Sequence, residues 1–313
     1  GASIGIALWT PRHQPDPERA LTDADIALYE AKRGGRGRWR RFEDWMRARA
    51  EAAASLAQEI RAGLERDEFE AWFQPRLSLA DGRCSGLEAL IRWRHPTRGL
   101  LAPRDFLFAA EEANLVAGLD ERMLELATLA LSRLRRAGES PGSVGVNLSR
   151  RALTGPGFVD RAKWAVERAG LEPAALAIEV PSGALIGAGA EAALETARAL
   201  SAAGFALALD DFGAGPVALT ALRGLPAERL KIDRGLVSGL DEDAGLRHVT
   251  GALVAMARSL GLEVVAEGVE REGERAALAA LGCQSVQGWL LAPPMPEDAL
   301  LAWLAARRDG APT

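Results

Sequence analysis

Short apolar runs that alternate with amphipathic stretches dominate this 313-residue chain from about Trp72 onward. The runs are AWFQPRLSL, GLEALIRW, SVGVNLS, ALAIEV, FALALDDFG, RLKIDR, LEVVAEGVE and SVQGWLL. Among them lie helical patterns such as FVDRAKWAVERAG, EAALETARALSAAG, LRHVTGALVAMARSL and EREGERAALAAL. Strands separated by helices at this spacing predict repeated βα units and a parallel sheet. Roughly eight strands over roughly 250 residues is what an α/β fold of the (β/α)8 barrel type needs. A doubly wound sheet is the competing architecture, but no G-x-G-x-x-G follows an early strand to support dinucleotide binding.

Ahead of the repeats, residues 3 to 9 alternate like a strand and a Pro-rich turn follows. A helical pattern then runs from about Glu18 to Lys32 and stops at the Gly34-Gly35 pair. One strand and one helix do not make a domain, so the chain is expected to be a piece of a longer protein with sensory or membrane parts upstream. The basic run RGGRGRWRRF, from Arg33 to Phe42, reads as solvated surface because aromatic interleaving is sparse. It feeds an Ala-, Glu- and Arg-rich helical connector ending near Gly63. The expected division is 1–42, a connector over 43–63, and a barrel over 64–313.

A formal net charge of −5 gives no general attraction to polyanions, so a nucleic-acid polymer is disfavoured as partner while a small phosphate ligand in a local pocket is not. The cysteines Cys84 and Cys283 lie far apart, with no CxxC or Cys/His cluster, which fits a reducing cytoplasm. No apolar stretch reaches the roughly 18 residues needed to cross a bilayer, so no membrane contact is expected from this segment.

Polar residues recur within or at the ends of the apolar runs: Glu88, Asn147, Glu179, Asp210, Asp211, Lys231, Asp233, Glu267 and Gln287. A buried carboxylate or lysine is costly unless paired, hydrogen-bonded or metal-bound. In a barrel, residues at C-terminal strand ends converge on one mouth. Carboxylates and an amide without histidine or thiol favour a hard cation such as Mg²⁺ or Mn²⁺. The bland reading, that each residue caps a strand or pairs with a neighbour, is the better one for any single position and weaker for the set. The adjacent Asp210-Asp211 pair could serve two metals, so the residues alone point as far as a metal-assisted hydrolase.

The strings GLEALIRWRHP, VNLS, LAIEV, DDFGAG, LKIDR, VVAEGVE and CQSVQGWLLAPPMP stand in the order of EAL-domain cyclic-di-GMP phosphodiesterases, which the chain resembles from about Leu56 to Trp303. SIGIAL followed by DADIALYEAKRGGRGR is similar to the end of a GGDEF domain, without that domain's signature loop, so no cyclase activity is expected of it. The resemblance implies a TIM-like barrel whose first strand is antiparallel. It also implies hydrolysis of cyclic di-GMP to pGpG by two divalent cations, and a homodimer in bacterial second-messenger signalling. By carry-over, Glu88, Asn147, Glu179 and Asp210 would hold one cation, and Asp210, Asp211 and Glu267 the other. Lys231 would orient the attacking water or manage its proton, making Lys231, Glu267 and Glu88 the catalytic set. Gln74, Leu90, Arg92 and Gln287 would contact substrate, with Asp233 in support. The competing reading has Gln74 and Gln287 only satisfying barrel-end backbone groups and Lys231 paired with Asp233. His95, before Pro96, reads as a turn residue, and Trp93 and Trp289 as packing residues.

Two departures matter. The family usually reads E-[ILV]-T-E after the strand carrying Glu179, whereas this chain reads Glu179-Val180-Pro181-Ser182. The missing glutamate usually anchors the loop after the paired aspartates, and a serine lacks its charge and reach. That loop usually reads DDFGTGYSSL and here reads DDFGAGPVAL, with Ala214, Pro216, Val217 and Ala218 at polar positions. The expectation is that hydrogen bonds positioning Asp211 are lost, leaving either a weak or regulated phosphodiesterase or a receptor that binds cyclic di-GMP without turnover.

Overall fold

Two contact units divide the chain: Gly1–Ala62 with Phe106–Leu115, and Gly63–Asp105 with Val116–Thr313. The computed structural model describes residues 1–8, 16–35, 37–215 and 224–308.

In the first unit, β1 (Ile4–Ile6) pairs in parallel with β2 (Trp39–Arg41), and α1 (Pro17–Arg33) joins them. The start of α1 is written locally: Asp16 accepts from the Arg19 amide at 3.0 Å, and Pro17 occupies the first turn where its missing N–H costs nothing. Gly5 lets the helix lie directly on the strand, since a Cβ there would stand 2.0 Å from the Ala24 carbonyl oxygen. Part of the basic run is therefore strand rather than mere surface, although its side chains are exposed. The Ala-rich stretch forms α2 (Asp44–Glu65).

The second unit is a closed barrel. β3 (Phe69–Ser78) is followed by β4 (Cys84–His95), β6 (Ser143–Asn147), β7 (Leu176–Pro181), β8 (Ala206–Phe212), β9 (Arg229–Ile232), β10 (Glu263–Ala266) and β11 (Ser285–Val286). Hydrogen bonding runs β3-β11-β10-β9-β8-β7-β6-β4 and returns to β3 through its pairing with β4. β5 (Gly99–Leu101) only extends β4 outside the ring. β3 is antiparallel to both β4 and β11, while the other pairings in the ring are parallel, as the resemblance implied. Helices α3 (Val116–Arg136), α4 (Phe158–Arg168), α5 (Ala190–Ala202), α6 (Ala244–Ser259) and α7 (Glu272–Ala280) alternate with the strands. Strands sheathed on both faces explain why Leu176, Ile178, Leu207, Leu230, Ile232 and Val264 are all buried and the runs read as continuously apolar.

The end of the barrel formed by the strand N-termini is closed by polar side chains. Arg229 donates to Glu263 at 2.8 Å and to Ser143 at 3.3 Å, and Ser285 donates to the other Glu263 oxygen at 2.7 Å. Buried Arg76 donates to the Ser85 hydroxyl and carbonyl at 3.2 and 3.1 Å. Burial pushes the Glu263 carboxyl up, but the hydrogen bonds from Ser285 and Arg229 outweigh it and hold the group below its ordinary range. Glu263→Gln leaves two guanidinium groups facing each other without that charge. Between the values for exposed and buried pairs, it is expected to cost about 2 kcal/mol. A thermal melt at pH 7 checks it, and an unchanged midpoint would show that the network carries no net stability.

Candidate active site at the barrel mouth

The polar residues singled out in the strands lie toward the opposite end. Glu88 faces Gln74 across the β3–β4 ladder, Asn147 ends β6 beside Glu179 of β7, and Asp210 and Asp211 stand near the end of β8. Lys231 lies in β9, and Glu267 and Gln287 directly follow β10 and β11. Ring closure brings together positions almost 200 residues apart.

Lys231 is the hub. Only 1% exposed, its Nζ lies 2.6 Å from Glu179, 2.7 Å from Glu267, 3.2 Å from Asp210 and 3.4 Å from Glu88. These partners replace the pairing with Asp233 weighed from the sequence; Asp233 instead accepts from the Gly235 amide at 2.8 Å and caps a short turn. Glu88 accepts from Asn147 and from Gln287, both at 2.6 Å, and Gln287 also donates to Gln74 at 3.1 Å. Gln74 donates to the Ala292 carbonyl at 3.0 Å, so of the two glutamines only Gln74 serves a backbone group in these bonds. Gly145 makes room: a Cβ there would stand 2.1 Å from a Glu179 oxygen. A glycine inside a strand-like run such as SVGVNLS is the one local signal of this close approach.

Adjacent residues of a regular strand point to opposite faces, which would separate Asp210 from Asp211. The β8–β9 register slips between Leu209 and Phe212, and Asp211 adopts φ 54°, in the left-handed region. A slip of this kind re-aims a side chain. Burial and then the neighbouring Asp210 raise the Asp211 carboxyl above its ordinary range, so it feels the same cluster.

One ammonium cannot neutralise four carboxylates, three of them buried. Burial opposes the charge on Lys231, but the surrounding carboxylates outweigh it and hold the group well above its ordinary range, charged at neutral pH. Burial pushes Glu179 well up despite Lys231, and pushes Glu267 up to about 8. Glu88 goes the other way: burial raises it, and Lys231, Asn147 and Gln287 together lower it below its usual value.

The flanking positions differ in character. Leu90 and Arg92 are half-buried on β4; the Arg92 guanidinium lies 5.4 Å from the Trp72 ring centroid and donates to the Ile91 carbonyl at 2.8 Å. His95 departs from the expected turn position: it is the last residue of β4, paired with Gly99, and its Nδ1 accepts from the Thr97 and Arg98 amides of the turn that follows at 3.2 and 3.3 Å. Trp93 is fully buried and stacks on Phe69. Trp289 departs from the expected packing role: it lies beyond the end of β11 and is 69% exposed. Pro216, Val217 and Ala218 lie outside the described residues.

The donor set suits a hard divalent cation, with carboxylate and amide oxygens and no sulfur. Asp210 Oδ1 is buried and accepts no hydrogen bond, facing the Lys231 ammonium at 3.2 Å, while Glu267 Oε1 lies 2.7 Å from the same ammonium. Among the described residues no three His, Cys, Asp or Glu side chains form a ready cation cage, because the carboxylates converge on Lys231 instead. Both cysteines are free, and burial pushes the Cys283 thiol up to about 12. Among the described residues no helix is long and apolar enough to cross a membrane.

Comparison with known proteins agrees with this architecture. Over 304 residues the chain is 39% identical to the bifunctional diguanylate cyclase/cyclic di-GMP phosphodiesterase MucR of Pseudomonas aeruginosa, covering 97% of this chain and 44% of that protein. It is 37% identical to the cyclic di-GMP phosphodiesterase NbdA of the same organism, covering 99% of this chain and 40% of NbdA. The chain thus spans less than half the length of these two relatives. The solved structure of PaMucR phosphodiesterase in complex with c-di-GMP superposes with a TM-score of 0.74 at 38% identity, covering 79% of this chain and 99% of that one. Residues 1–38 match the diguanylate cyclase, GGDEF domain. Since residues 57–294 match the EAL domain, this chain belongs to the EAL domain family, whose phosphodiesterases depend on divalent metal.

Proposed function

We propose that this chain hydrolyses cyclic di-GMP to linear pGpG with two divalent cations, Mg²⁺ or Mn²⁺. The observation that carries the reading is the ring of four carboxylates around buried Lys231, in which Asp210 Oδ1 is buried and accepts no hydrogen bond. The names of MucR and NbdA, and the c-di-GMP complex of PaMucR, support the substrate. In this proposal Glu88, Asn147, Glu179 and Asp210 would hold one cation, and Asp210, Asp211 and Glu267 would hold the other. Bound there, the cations lower the pKa of a water and neutralise charge developing at phosphorus. With those carboxylates drawn to the cations, the charged Lys231 ammonium would donate a hydrogen bond that orients the attacking water. The water oxygen forms a new bond to phosphorus, the bond to one ribose oxygen breaks, and that oxygen leaves with a proton. Gln287 and Gln74 fix Glu88 and present amides to substrate. Arg92 offers a rigid fork to a phosphate or guanine edge, with Leu90 beside it and Asp233 supporting the shell. A homodimer belongs to the same proposal.

Turnover to pGpG with Mg²⁺ and then Mn²⁺ tests the reading, beside a binding titration in Ca²⁺. Tight binding without pGpG would make the domain a receptor instead. Because cations need deprotonated ligands and Glu179 and Glu267 are pushed up, turnover at subsaturating Mn²⁺ is expected to rise from pH 6 to pH 9. A flat profile would mean that neither carboxylate titrates in the free protein over that range.

A further inference from the structure

The loss of the family's loop-anchoring glutamate predicted that Asp211 would be left without support. Ser182 stands at that place, and the structure gives it a different job. It opens a short turn, Ser182–Leu185, directly after β7, and is only 6% exposed. Its Oγ donates to the main-chain carbonyl of Asp211 at 3.2 Å. The same carbonyl accepts from the Ala214 amide, also at 3.2 Å.

Two donors on one carbonyl fix the peptide plane that follows Asp211. That plane belongs to the residue with φ 54°, where the strand register slips. A side chain on a left-handed residue is held there only if its surroundings over-determine the backbone. The direction in which the Asp211 carboxylate leaves the chain therefore depends on what grips the carbonyl. Ser182 grips it from the turn directly after β7, the strand that carries Glu179, and so links the positions of the two carboxylates across the β7–β8 ladder. A glutamate would reach the loop through a charge, whereas the serine reaches it through a neutral hydroxyl at short range.

The geometry points to Ser182 as a positioning residue that locks the backbone at Asp211 and so aims its carboxylate into the mouth; this rests on the proposed metal-dependent reaction. Ser182 touches neither substrate nor metal in this role and acts through Asp211.

Calorimetric titration with Mn²⁺ tests it on four proteins: wild type, Ser182→Ala, Asp211→Ala and the double variant, each first shown by thermal melt to be folded. Ser182→Ala is expected to weaken Mn²⁺ binding about 10- to 100-fold, the usual cost of losing a group that orients a ligand. It should also lower kcat more than it changes KM. In the Asp211→Ala background the same serine change should cost nothing further, because a residue acting through Asp211 has nothing left to position. Unchanged Mn²⁺ binding in Ser182→Ala, or an equal loss in both backgrounds, would overturn the inference. If the wild type binds Mn²⁺ but never yields pGpG, the phosphodiesterase reading fails, while the four binding curves still decide the role of Ser182.

Discussion

Glu88→Ala is expected to lower kcat/KM for cyclic di-GMP by about 1,000-fold or more while leaving the protein folded. The carboxylate has three kinds of neighbour: Asn147 and Gln287 donate to it at 2.6 Å each, and the Lys231 ammonium lies 3.4 Å away. As a proposed metal ligand it contributes to a charge-stabilising centre worth several kcal/mol, and about 1.4 kcal/mol corresponds to each tenfold change in rate. Stability should suffer less, since removing one of four like charges around Lys231 also relieves repulsion. Glu88→Gln separates charge from shape, because it keeps a side chain for Asn147 and Gln287 to meet but cannot supply an anionic ligand. Both variants should therefore fail in pGpG formation, with melting midpoints near wild type. Turnover within tenfold of wild type in either one would remove Glu88 from the metal set.

Lys231→Met should produce the largest loss of stability. The substitution keeps the buried stem and deletes the only cation contacting Glu88, Glu179, Asp210 and Glu267 among the described residues. Removing one partner of a buried ionic cluster costs about 3–5 kcal/mol. For a chain of this size that is a drop of about 10 °C in melting midpoint without metal. The sign of the pH dependence follows from the raised carboxyls. Burial takes Glu267 from an ordinary 4.5 to about 8, so between those values the folded metal-free protein holds a proton that the unfolded chain has released. Stability from this group is present below pH 4.5 and is lost as pH rises toward 8. Protonated carboxyls need the ammonium less, so the gap between wild type and Lys231→Met should be wider at pH 8 than at pH 5. Saturating Mn²⁺ should narrow it at pH 8 by supplying the missing positive charge. Melts at both pH values, with and without Mn²⁺, check all three signs; coincident curves would show that the cluster needs no counter-charge from Lys231.

Much of this was legible in the chain because strand and helix signals are local. Each apolar run contributed a strand to the ring, and the polar residues inside the runs marked the mouth. What escaped notice had no local signature or a misleading one. Trp39–Arg41 hid in a basic run and became a strand only because β1 lies beside it. Trp289 sat in an apolar string, but the ladder of β11 is two residues long and stops short of it. The support of Asp211 was judged from residue types at two motif positions, whereas the bond that exists runs from the Ser182 hydroxyl to a main-chain carbonyl. No side-chain pattern announces a bond to backbone.

Chain order, the barrel class and the kinds of group at the strand ends could be read directly, since alternation and burial act on each residue through its near neighbours. Which carboxylates share Lys231, and how Ser182 meets the Asp211 carbonyl, were decided by ring closure and by one slip of register. The physical reason is range. Strand periodicity is a property of a few successive residues, whereas Coulomb and hydrogen-bond partners are chosen by distances of about 3 Å between strands that the sequence separates by tens to hundreds of residues.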